Sequence, residues 1–238
     1  MKQPEKYYTD LLYPFQDGIL NIVKGLNTPF YLTGGTALSR HYFHHRFSDD
    51  LDLFVNNDDA FDRYVDLVFR AFEEGRRSGQ FELDYERLRK EENYAQFFLR
   101  QAMFSTDRRV ELKVDLINDL AVHYGDVGHD DKLGAVDSWR NILSNKLSAI
   151  FRYEAKDFVD IWIIAKNKNF NWKEIVREAR TKEVGIDPIV LYEILTTFPS
   201  EVLRSIKWNM QIDEKAFLND LAVIAGDIFG GKENTLKM

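Results

Sequence analysis

The segment over residues 31–53 constrains the fold of this chain more than any other part of the sequence. A short apolar run ends in the pair Gly34-Gly35, and fourteen residues then separate Gly35 from Asp50. This pattern predicts a strand, a glycine turn, a short helix and a second strand. Asp50 and Asp52 are two positions apart on the second strand, so we expect their side chains to share one face of a sheet.

The glycine turn and the two carboxylates together indicate a site for a nucleoside triphosphate. Glycines at a helix start leave backbone N–H groups open to phosphate oxygens, with no β-carbon in the way. Thr36 adds a hydroxyl donor there, and Ser48 precedes the carboxylates, where it can fix the turn. Two neighbouring carboxylates repel each other unless a cation lies between them. We therefore expect Mg²⁺ or Mn²⁺ beside a bound triphosphate.

A later strand supplies a third carboxylate. This segment alternates between apolar residues on one face and polar residues on the other, namely Val110, Leu112, Val114 and Leu116 against Glu111, Lys113 and Asp115. Holding two metal ions takes about three carboxylates, so Asp115 is the expected third ligand beside Asp50 and Asp52. Asp49 and Asp119 are weaker candidates, and Asp49 has the wrong parity relative to the other two aspartates of its strand.

The first half of the chain is predicted to form a mixed sheet of about five strands with helices packed on it. Apolar residues at helical spacing predict a helix over residues 10–26. Asn57 or Asp58 is expected to cap another helix after the second strand. Alternating residues predict further strands over 81–88 and 93–104.

The second half is predicted to be helical. The expected helices cover residues 138–152, 156–167, 172–182, 188–197, 199–206 and 213–228. The tail over residues 231–238 is expected to fray. This change, from a sheet with helices to helices alone, predicts one domain over residues 1–128 and a second over residues 129–238.

Composition excludes several classes of protein. The chain has 238 residues, no cysteine and a formal net charge of −7, which argues against a surface adapted throughout to nucleic acid. No apolar run approaches the length of a membrane span, and the N-terminus has no signal-peptide pattern. We therefore expect a cytoplasmic protein without a membrane partner.

The glycine turn and the carboxylate strand together resemble a known superfamily. The residues that carry the likeness are Gly34-Gly35-Thr36-Ala37-Leu38 and Arg46-Phe47-Ser48-Asp49-Asp50-Leu51-Asp52-Leu53. They are similar to nucleotidyltransferases of the polymerase-β type and, within them, to the AbiEii/AbiGii toxin family. The resemblance implies an α+β fold, with an N-terminal polymerase-β-like nucleotidyltransferase domain and a helical C-terminal domain that completes the active-site cleft. It also implies that Asp115 serves as base for the acceptor hydroxyl.

A second motif in the helical half supports the same resemblance. The stretch Lys146-Leu147-Ser148-Ala149, then Arg152, then Lys156-Asp157-Phe158-Val159-Asp160 is similar to two stretches of that family. By this resemblance Lys146 and Lys156 face the triphosphate, and Asp157 and Asp160 lie close by, ordering the lysines or the acceptor. Lys156 stands where arginine is commoner, which keeps the charge but loses the planar fork.

The resemblance implies a metal-dependent enzyme that moves a nucleoside monophosphate from a nucleoside triphosphate onto an acceptor. An RNA acceptor, with tRNA as one candidate, and a cognate antitoxin would suit a bacterial toxin–antitoxin pair, although protein acceptors occur among relatives. One alternative is an antibiotic-type nucleotidyltransferase that acts on a small molecule. Another is a catalytically silent binding module of the same fold, against which the intact Asp50, Asp52 and Asp115 argue.

Overall fold

The computed structural model describes residues 3–102 and 109–236, and it has the predicted α+β composition of a mixed sheet and helices. The chain divides into two compact units. The first comprises Met1–Ala37, Phe47–Leu120 and Val127–Asp137, and the second comprises Leu38–Arg46, Ala121–Asp126 and Ser138–Met238. The division expected after residue 128 falls inside the first unit, because residues 128–130 and 134–136 pair as strands of its sheet.

The first unit contains, within the described residues, one eight-stranded mixed sheet rather than the expected five strands. Its strands are β1 (Tyr31–Thr33), β2 (Leu51–Asn56), β3 (Glu82–Leu83), β4 (Arg89–Glu91), β5 (Tyr94–Ala102), β6 (Arg109–Asp119), β7 (Gly128–Asp130) and β8 (Gly134–Val136). Their order is β3-β5-β6-β2-β1-β8-β7, with β4 paired to β5 outside this path. Strand β2 therefore lies between antiparallel β1 and parallel β6, near the middle of the sheet.

Two strand predictions need correction or qualification. The continuous strand expected over residues 81–88 is wrong, since only β3 forms there. Asp84 ends it, because its carboxylate accepts hydrogen bonds from the backbone N–H groups of Glu86 and Arg87 and so closes a turn. The strand expected over residues 93–104 is present as β5, and its predicted end at Phe104 lies outside the described residues.

Four helices of the first unit are described, with one π-helical turn. They are α1 (Gln3–Tyr7), the π-helical turn Tyr8–Leu12, α2 (Tyr13–Gly25), α3 (Gly34–Ala37) and α4 (Phe61–Arg77). The expected capping of α4 by Asn57 or Asp58 is wrong, because Ala60 holds the N-cap position. Asp58 instead accepts a hydrogen bond from the Ala60 N–H at 2.8 Å, and its own N–H donates to Asn118, which fixes the loop that leads into the helix.

The second unit is helical, as predicted. Its elements are α5 (Trp139–Ser148), α6 (Ala155–Asn167), α7 (Trp172–Lys182), α8 (Pro188–Thr196) and α9 (Glu214–Phe229), with 3₁₀ turns at Ile150–Arg152 and Ser200–Ser205 and a π-helical turn at Leu38–Tyr42. Ser138 caps α5, because its hydroxyl accepts a hydrogen bond from the Asn141 N–H. No helix in the described ranges is long and apolar enough to cross a membrane.

The frayed tail expected from residue 231 onward is wrong for the residues that the structure describes. Asn234 is buried, and its side-chain amide donates to the carbonyl oxygens of Ala165 at 2.6 Å and Lys168 at 2.8 Å. Leu236 is buried as well, and Glu233 pairs with Asn171. The tail is therefore fixed, because the side-chain amide of Asn234 binds carbonyl groups at the C-terminal end of α6, where backbone carbonyls have no partner within the helix. The last two residues of this prediction, Lys237 and Met238, lie outside the described residues.

Candidate active site

The glycine turn joins β1 to α3 and lies directly against β2. Gly34 has a φ of +66°, in the left-handed region that favours glycine. A β-carbon added to Gly34 would lie 2.6 Å from Oδ2 of Asp52, which is closer than non-bonded atoms approach. Gly35 follows as a buried residue of α3. The first glycine is thus required both by the turn and by the carboxylate beside it.

Thr36 and Ser48 tie the glycine turn to the start of β2. The Thr36 hydroxyl donates to the carbonyl oxygen of Asp50 at 2.5 Å and lies 2.9 Å from the hydroxyl of Ser48. Both residues are buried. Gln16 of α2 adds a hydrogen bond to the Ser48 carbonyl. These contacts fix the turn, and the expected donation from Thr36 to phosphate stays a prediction.

The sheet brings Asp52 and Asp115 side by side. In the parallel pairing of β2 with β6 they are directly opposite each other, so their side chains project from the same face. Asp50 immediately precedes β2, and the leucines that alternate with the two aspartates, Leu51 and Leu53, are buried on the other face. The alternation predicted from the sequence therefore holds on both strands.

Lys113 places an ammonium group among these carboxylates. Its Nζ lies 2.7 Å from Oδ2 of Asp115 and 4.0 Å from Oδ2 of Asp50. Burial alone would lower the pKa of Lys113, but the hydrogen bond to Asp115 and the charges of Asp115, Asp50 and Asp52 outweigh it, so the pKa is raised. The charges of all three aspartates therefore stabilise the protonated form of Lys113.

Asp115 is the most enclosed of these carboxylates, and the neighbouring strand fixes it. Its side chain is 9% exposed, against 39% for Asp50. The Tyr94 hydroxyl donates to its Oδ1 at 3.2 Å, and the amide of Gln96 donates to the same atom at 3.1 Å. Lys113 bonds the other oxygen, so both oxygens of Asp115 are engaged.

The two weaker candidates lie elsewhere. Asp49 accepts a hydrogen bond from the buried Tyr8 hydroxyl at 2.6 Å, and burial together with this bond raises the pKa of Tyr8. Asp119 ends β6, four positions beyond Asp115, where it is opposite Asn56. Neither residue shares the cross-strand position that Asp52 and Asp115 occupy.

The chemistry of these donors suits a hard divalent cation. Three carboxylates offer only oxygen ligands, which Mg²⁺ and Mn²⁺ prefer. Within residues 3–102 and 109–236, however, no three His, Cys, Asp or Glu side chains are already gathered as a metal-binding group. The ammonium of Lys113 already places a positive charge beside Asp115 and Asp50, so the residues present fit a cation at this point of the sheet.

The second motif forms a buried cluster of charges within the helical unit. Asp160, with no exposed surface, accepts hydrogen bonds from the Arg46 guanidinium through both oxygens, at 2.8 Å each. His45 Nε2 lies 2.9 Å from the same carboxylate. Lys146 Nζ lies 2.9 Å from Asp160 and 2.8 Å from Asp157. Lys146 therefore lies close to Asp157 and Asp160, as predicted, and forms direct ion pairs with both.

The remaining members of the motif differ in exposure. Arg152 pairs with Asp157 at 2.9 Å although its side chain is 59% exposed. Lys156 is exposed on the first turn of α6 and makes none of the hydrogen bonds or ion pairs described for Lys146. The structure therefore brings Lys146, Asp157 and Asp160 together and leaves Lys156 on the surface. The assignment of both lysines to the triphosphate stays a prediction.

Burial and charge act in opposite directions on the ionisable groups of this cluster. Burial would raise the pKa of Asp160, but Arg46, Lys146 and His45 hold it well below the usual range. Burial would lower the pKa of Lys146, but Asp160 and Asp157 raise it. For His45 burial prevails over Asp160, with help from the Arg46 and Lys146 charges, so its pKa is lowered and the neutral ring is favoured.

Sequence reasoning did not assign roles to Lys113, Tyr94, Gln96 or His45. Lys113 and Gln96 belong to the polar faces of β6 and β5, and this alternation indicates a role for them only when the two strands are known to pair. No local pattern joins His45 to Asp160, since 115 residues separate them.

Comparisons with known proteins identify the family and the fold. The family model described as nucleotidyl transferase AbiEii toxin, type IV TA system, matches residues 20–223. The crystal structure of JHP933 from Helicobacter pylori is similar with a TM-score of 0.62 and 20% identity over 91% of each chain. Another crystal structure, of a proposed nucleotidyltransferase from H. pylori, gives a TM-score of 0.60 and 19% identity over 91% of this chain and 94% of that one. At this identity the two structures show a shared fold. No curated protein sequence matches significantly.

Proposed function

The chain belongs to the AbiEii nucleotidyl transferase toxin family of type IV toxin–antitoxin systems, and we propose that it transfers a nucleoside monophosphate from a nucleoside triphosphate onto RNA in a metal-dependent reaction. Membership of the family makes the chain a nucleotidyltransferase and implies a cognate antitoxin. The RNA acceptor, with tRNA as one candidate, the metal ion and action in the cytoplasm are parts of the proposal.

The observation that carries the proposal is the position of Asp52 opposite Asp115 beside the Gly34 turn. Asp50, Asp52 and Asp115 would hold Mg²⁺ or Mn²⁺. Bound there, the ion would stabilise negative charge that develops on the transferred phosphate. The glycine turn offers backbone N–H groups to the other phosphates. No such arrangement is needed for a module that only binds a partner.

The transfer itself follows from these roles. The acceptor hydroxyl oxygen forms a bond to the α-phosphorus, the bond from that phosphorus to the bridging oxygen breaks, and pyrophosphate leaves. Asp115 takes the proton of the hydroxyl, as the resemblance implies. Tyr94 and Gln96 hold one oxygen of Asp115 in place, so that the carboxylate keeps its orientation during the reaction.

Lys146 and Lys156 are proposed to contact the triphosphate. Lys146→Ala should then weaken triphosphate binding more than monophosphate binding, because a monophosphate lacks the outer phosphates. The loss should be about tenfold to a hundredfold, as expected for a charged contact of about 1.5–3 kcal/mol. Because Lys146 is buried between carboxylates, calorimetry must be done at a temperature where the variant is shown to be folded. Equal losses for both nucleotides would assign Lys146 a structural role only.

The acceptor is tested by supplying nucleoside triphosphates labelled on the α-phosphate, with Mg²⁺, to the protein and total RNA. We expect the label to enter RNA, and sequencing of the labelled species would identify it. Label on protein, or on an aminocyclitol antibiotic offered in the same assay, would replace the RNA proposal by another acceptor. Absence of transfer to every acceptor with each nucleotide would contradict the proposed reaction.

A further inference from the structure

Lys113 occupies the position of a counter-ion among residues assigned to a metal ion. Its ammonium is within hydrogen-bond distance of Asp115 and 4.0 Å from Asp50. Its side chain is 29% exposed, so the ammonium is partly accessible to solvent and has room to change its partner. An oxygen of Asp115 that accepts this hydrogen bond offers less electron density to a metal ion. Lys113 and a divalent cation therefore compete for the same carboxylate.

We propose that Lys113 is an exchangeable counter-ion, which neutralises the aspartates in the metal-free protein and leaves Asp115 when a divalent ion is bound. This inference rests on the proposed function for the identity of the metal ligands. Three aspartates without a cation would repel each other, and Lys113 offsets that repulsion. The exchange replaces one positive charge by two, so the carboxylates are never left uncompensated.

The neighbours of Lys113 limit where its ammonium can go. On the same face of β6 the preceding acidic residue is Glu111, which Arg87 and Arg100 already bind. Directly opposite on β5 is Phe98, and the guanidinium of Arg87 lies 3.8 Å from the centre of that ring. Among the described residues of β6, there is therefore no carboxylate without a partner that could bind the Lys113 ammonium after it leaves Asp115. We infer that it turns to a phosphate of the bound substrate, which is the anion that arrives with the metal.

Metal binding without nucleotide tests the exchange independently of catalysis. Mn²⁺ is titrated by calorimetry into the wild-type protein, Lys113→Met and the control Lys90→Met. Lys90 is an exposed lysine of β4 paired with Asp66, so both variants remove one positive charge together with a close ion pair, at 2.7 Å in each case. We expect Lys113→Met to bind Mn²⁺ about tenfold more tightly than Lys90→Met and wild type, because its carboxylates have lost their competitor.

Thermal unfolding provides the second measurement. Metal-free Lys113→Met should melt at a lower temperature than Lys90→Met, and Mn²⁺ should raise its melting temperature more than that of wild type. Lys113→Arg, which keeps the charge, should bind Mn²⁺ no more tightly than wild type. This variant also keeps the exchange testable if Lys113→Met does not fold.

The possible failures can be told apart. Equal or weaker Mn²⁺ binding by Lys113→Met would overturn the exchange and leave the metal site standing. If neither wild type nor variant binds Mn²⁺, both the metal site and its exchange with Lys113 are contradicted. Loss of nucleotidyl transfer with tighter metal binding would support the exchange and the role of Lys113 at a substrate phosphate.

Discussion

Gly34 and Asp52 approach each other so closely that a single methyl group at Gly34 would reach the carboxylate. The added β-carbon would be 2.6 Å from Oδ2 of Asp52. We predict that Gly34→Ala lowers the affinity for a non-hydrolysable nucleoside triphosphate at least about tenfold, the effect of ~1.4 kcal/mol. The physical reason is that the turn and the carboxylate must both move. Calorimetry at a temperature where the variant is folded measures the loss.

Gly79→Ala is the matched control for this substitution. Gly79 also has a positive φ, of +75°, but a β-carbon there meets no atom within 4 Å. Both variants should lose about 1–2 kcal/mol of folding free energy from backbone strain. Only Gly34→Ala should lose nucleotide affinity. Equal affinities for the two variants would show that the contact with Asp52 does not matter for binding.

The buried cluster in the helical unit should contribute strongly to folding. Lys146→Met leaves Asp157 and Asp160 with less positive charge in the interior, and we expect a loss of about 3–5 kcal/mol in the free energy of unfolding. Lys132→Met removes an exposed partner of Asp17 and should change it by at most about 1 kcal/mol. Chemical denaturation measures both. If Lys146→Met lowered the free energy of unfolding as little as Lys132→Met, the ion pairs of Lys146 would not be formed in solution.

His45 should make stability depend on pH. Its pKa is lowered in the folded protein, by burial above all, and Nδ1 has no hydrogen-bond partner among the described residues. Above the unfolded value of about 6.5 neither state takes up the proton. Below it the unfolded chain binds a proton that the folded chain does not. Stability should therefore be complete at pH 7.5 and fall towards pH 5.5, by at most about 1.4 kcal/mol per pH unit.

His45→Gln tests this assignment, because glutamine can still donate to Asp160 but does not titrate. The variant should be less stable at pH 7.5 and should lose most of the decline between pH 7.5 and pH 5.5. His129→Gln, at a side chain that is 72% exposed, should keep the wild-type decline. An unchanged pH profile in His45→Gln would assign the decline to another group.

Asn234 should hold the C-terminal segment against α6. Asn234→Ala removes two hydrogen bonds, one to the buried carbonyl oxygen of Ala165 and one to the partly buried carbonyl oxygen of Lys168. We expect a loss of about 1–3 kcal/mol in the free energy of unfolding. Faster hydrogen exchange at residues 231–236 should accompany it. Asn209→Ala, which removes one exposed side-chain bond to the His44 carbonyl, is the comparison and should have a smaller effect. If Asn234→Ala changed neither measurement, the segment would be frayed in solution, as its position at the end of the chain predicts.

Features with a local period could be predicted from the sequence. Strands β2 and β6 follow the alternation that places Asp52 and Asp115 on a polar face, and the glycine pair marks the turn between β1 and the following helix. The helices of the second unit follow apolar periodicity in the same way. Such patterns depend on neighbouring residues alone, so one sequence is enough to read them.

Features that depend on distant residues could not be predicted. The contact of His45 with Asp160 and the hydrogen bonds of Asn234 join residues far apart in the chain. Strands as short as β3 have no period, and the side chain of Asp84 decides where that strand ends. The register of β2 with β6 turns two separate motifs into one site, and register is set by the sheet as a whole.

The most direct test of the catalytic proposal compares two labelled substrates. Wild-type protein receives the same nucleoside triphosphate labelled on either the α- or the γ-phosphate, together with Mg²⁺ and total RNA. The α-label should enter RNA, and the γ-label should be recovered only in pyrophosphate. Asp52→Asn should transfer neither label, whereas Asp66→Asn, at an exposed carboxylate, should act like wild type. Transfer of the γ-label to an acceptor, or normal transfer by folded Asp52→Asn, would contradict nucleotidyl transfer at this site.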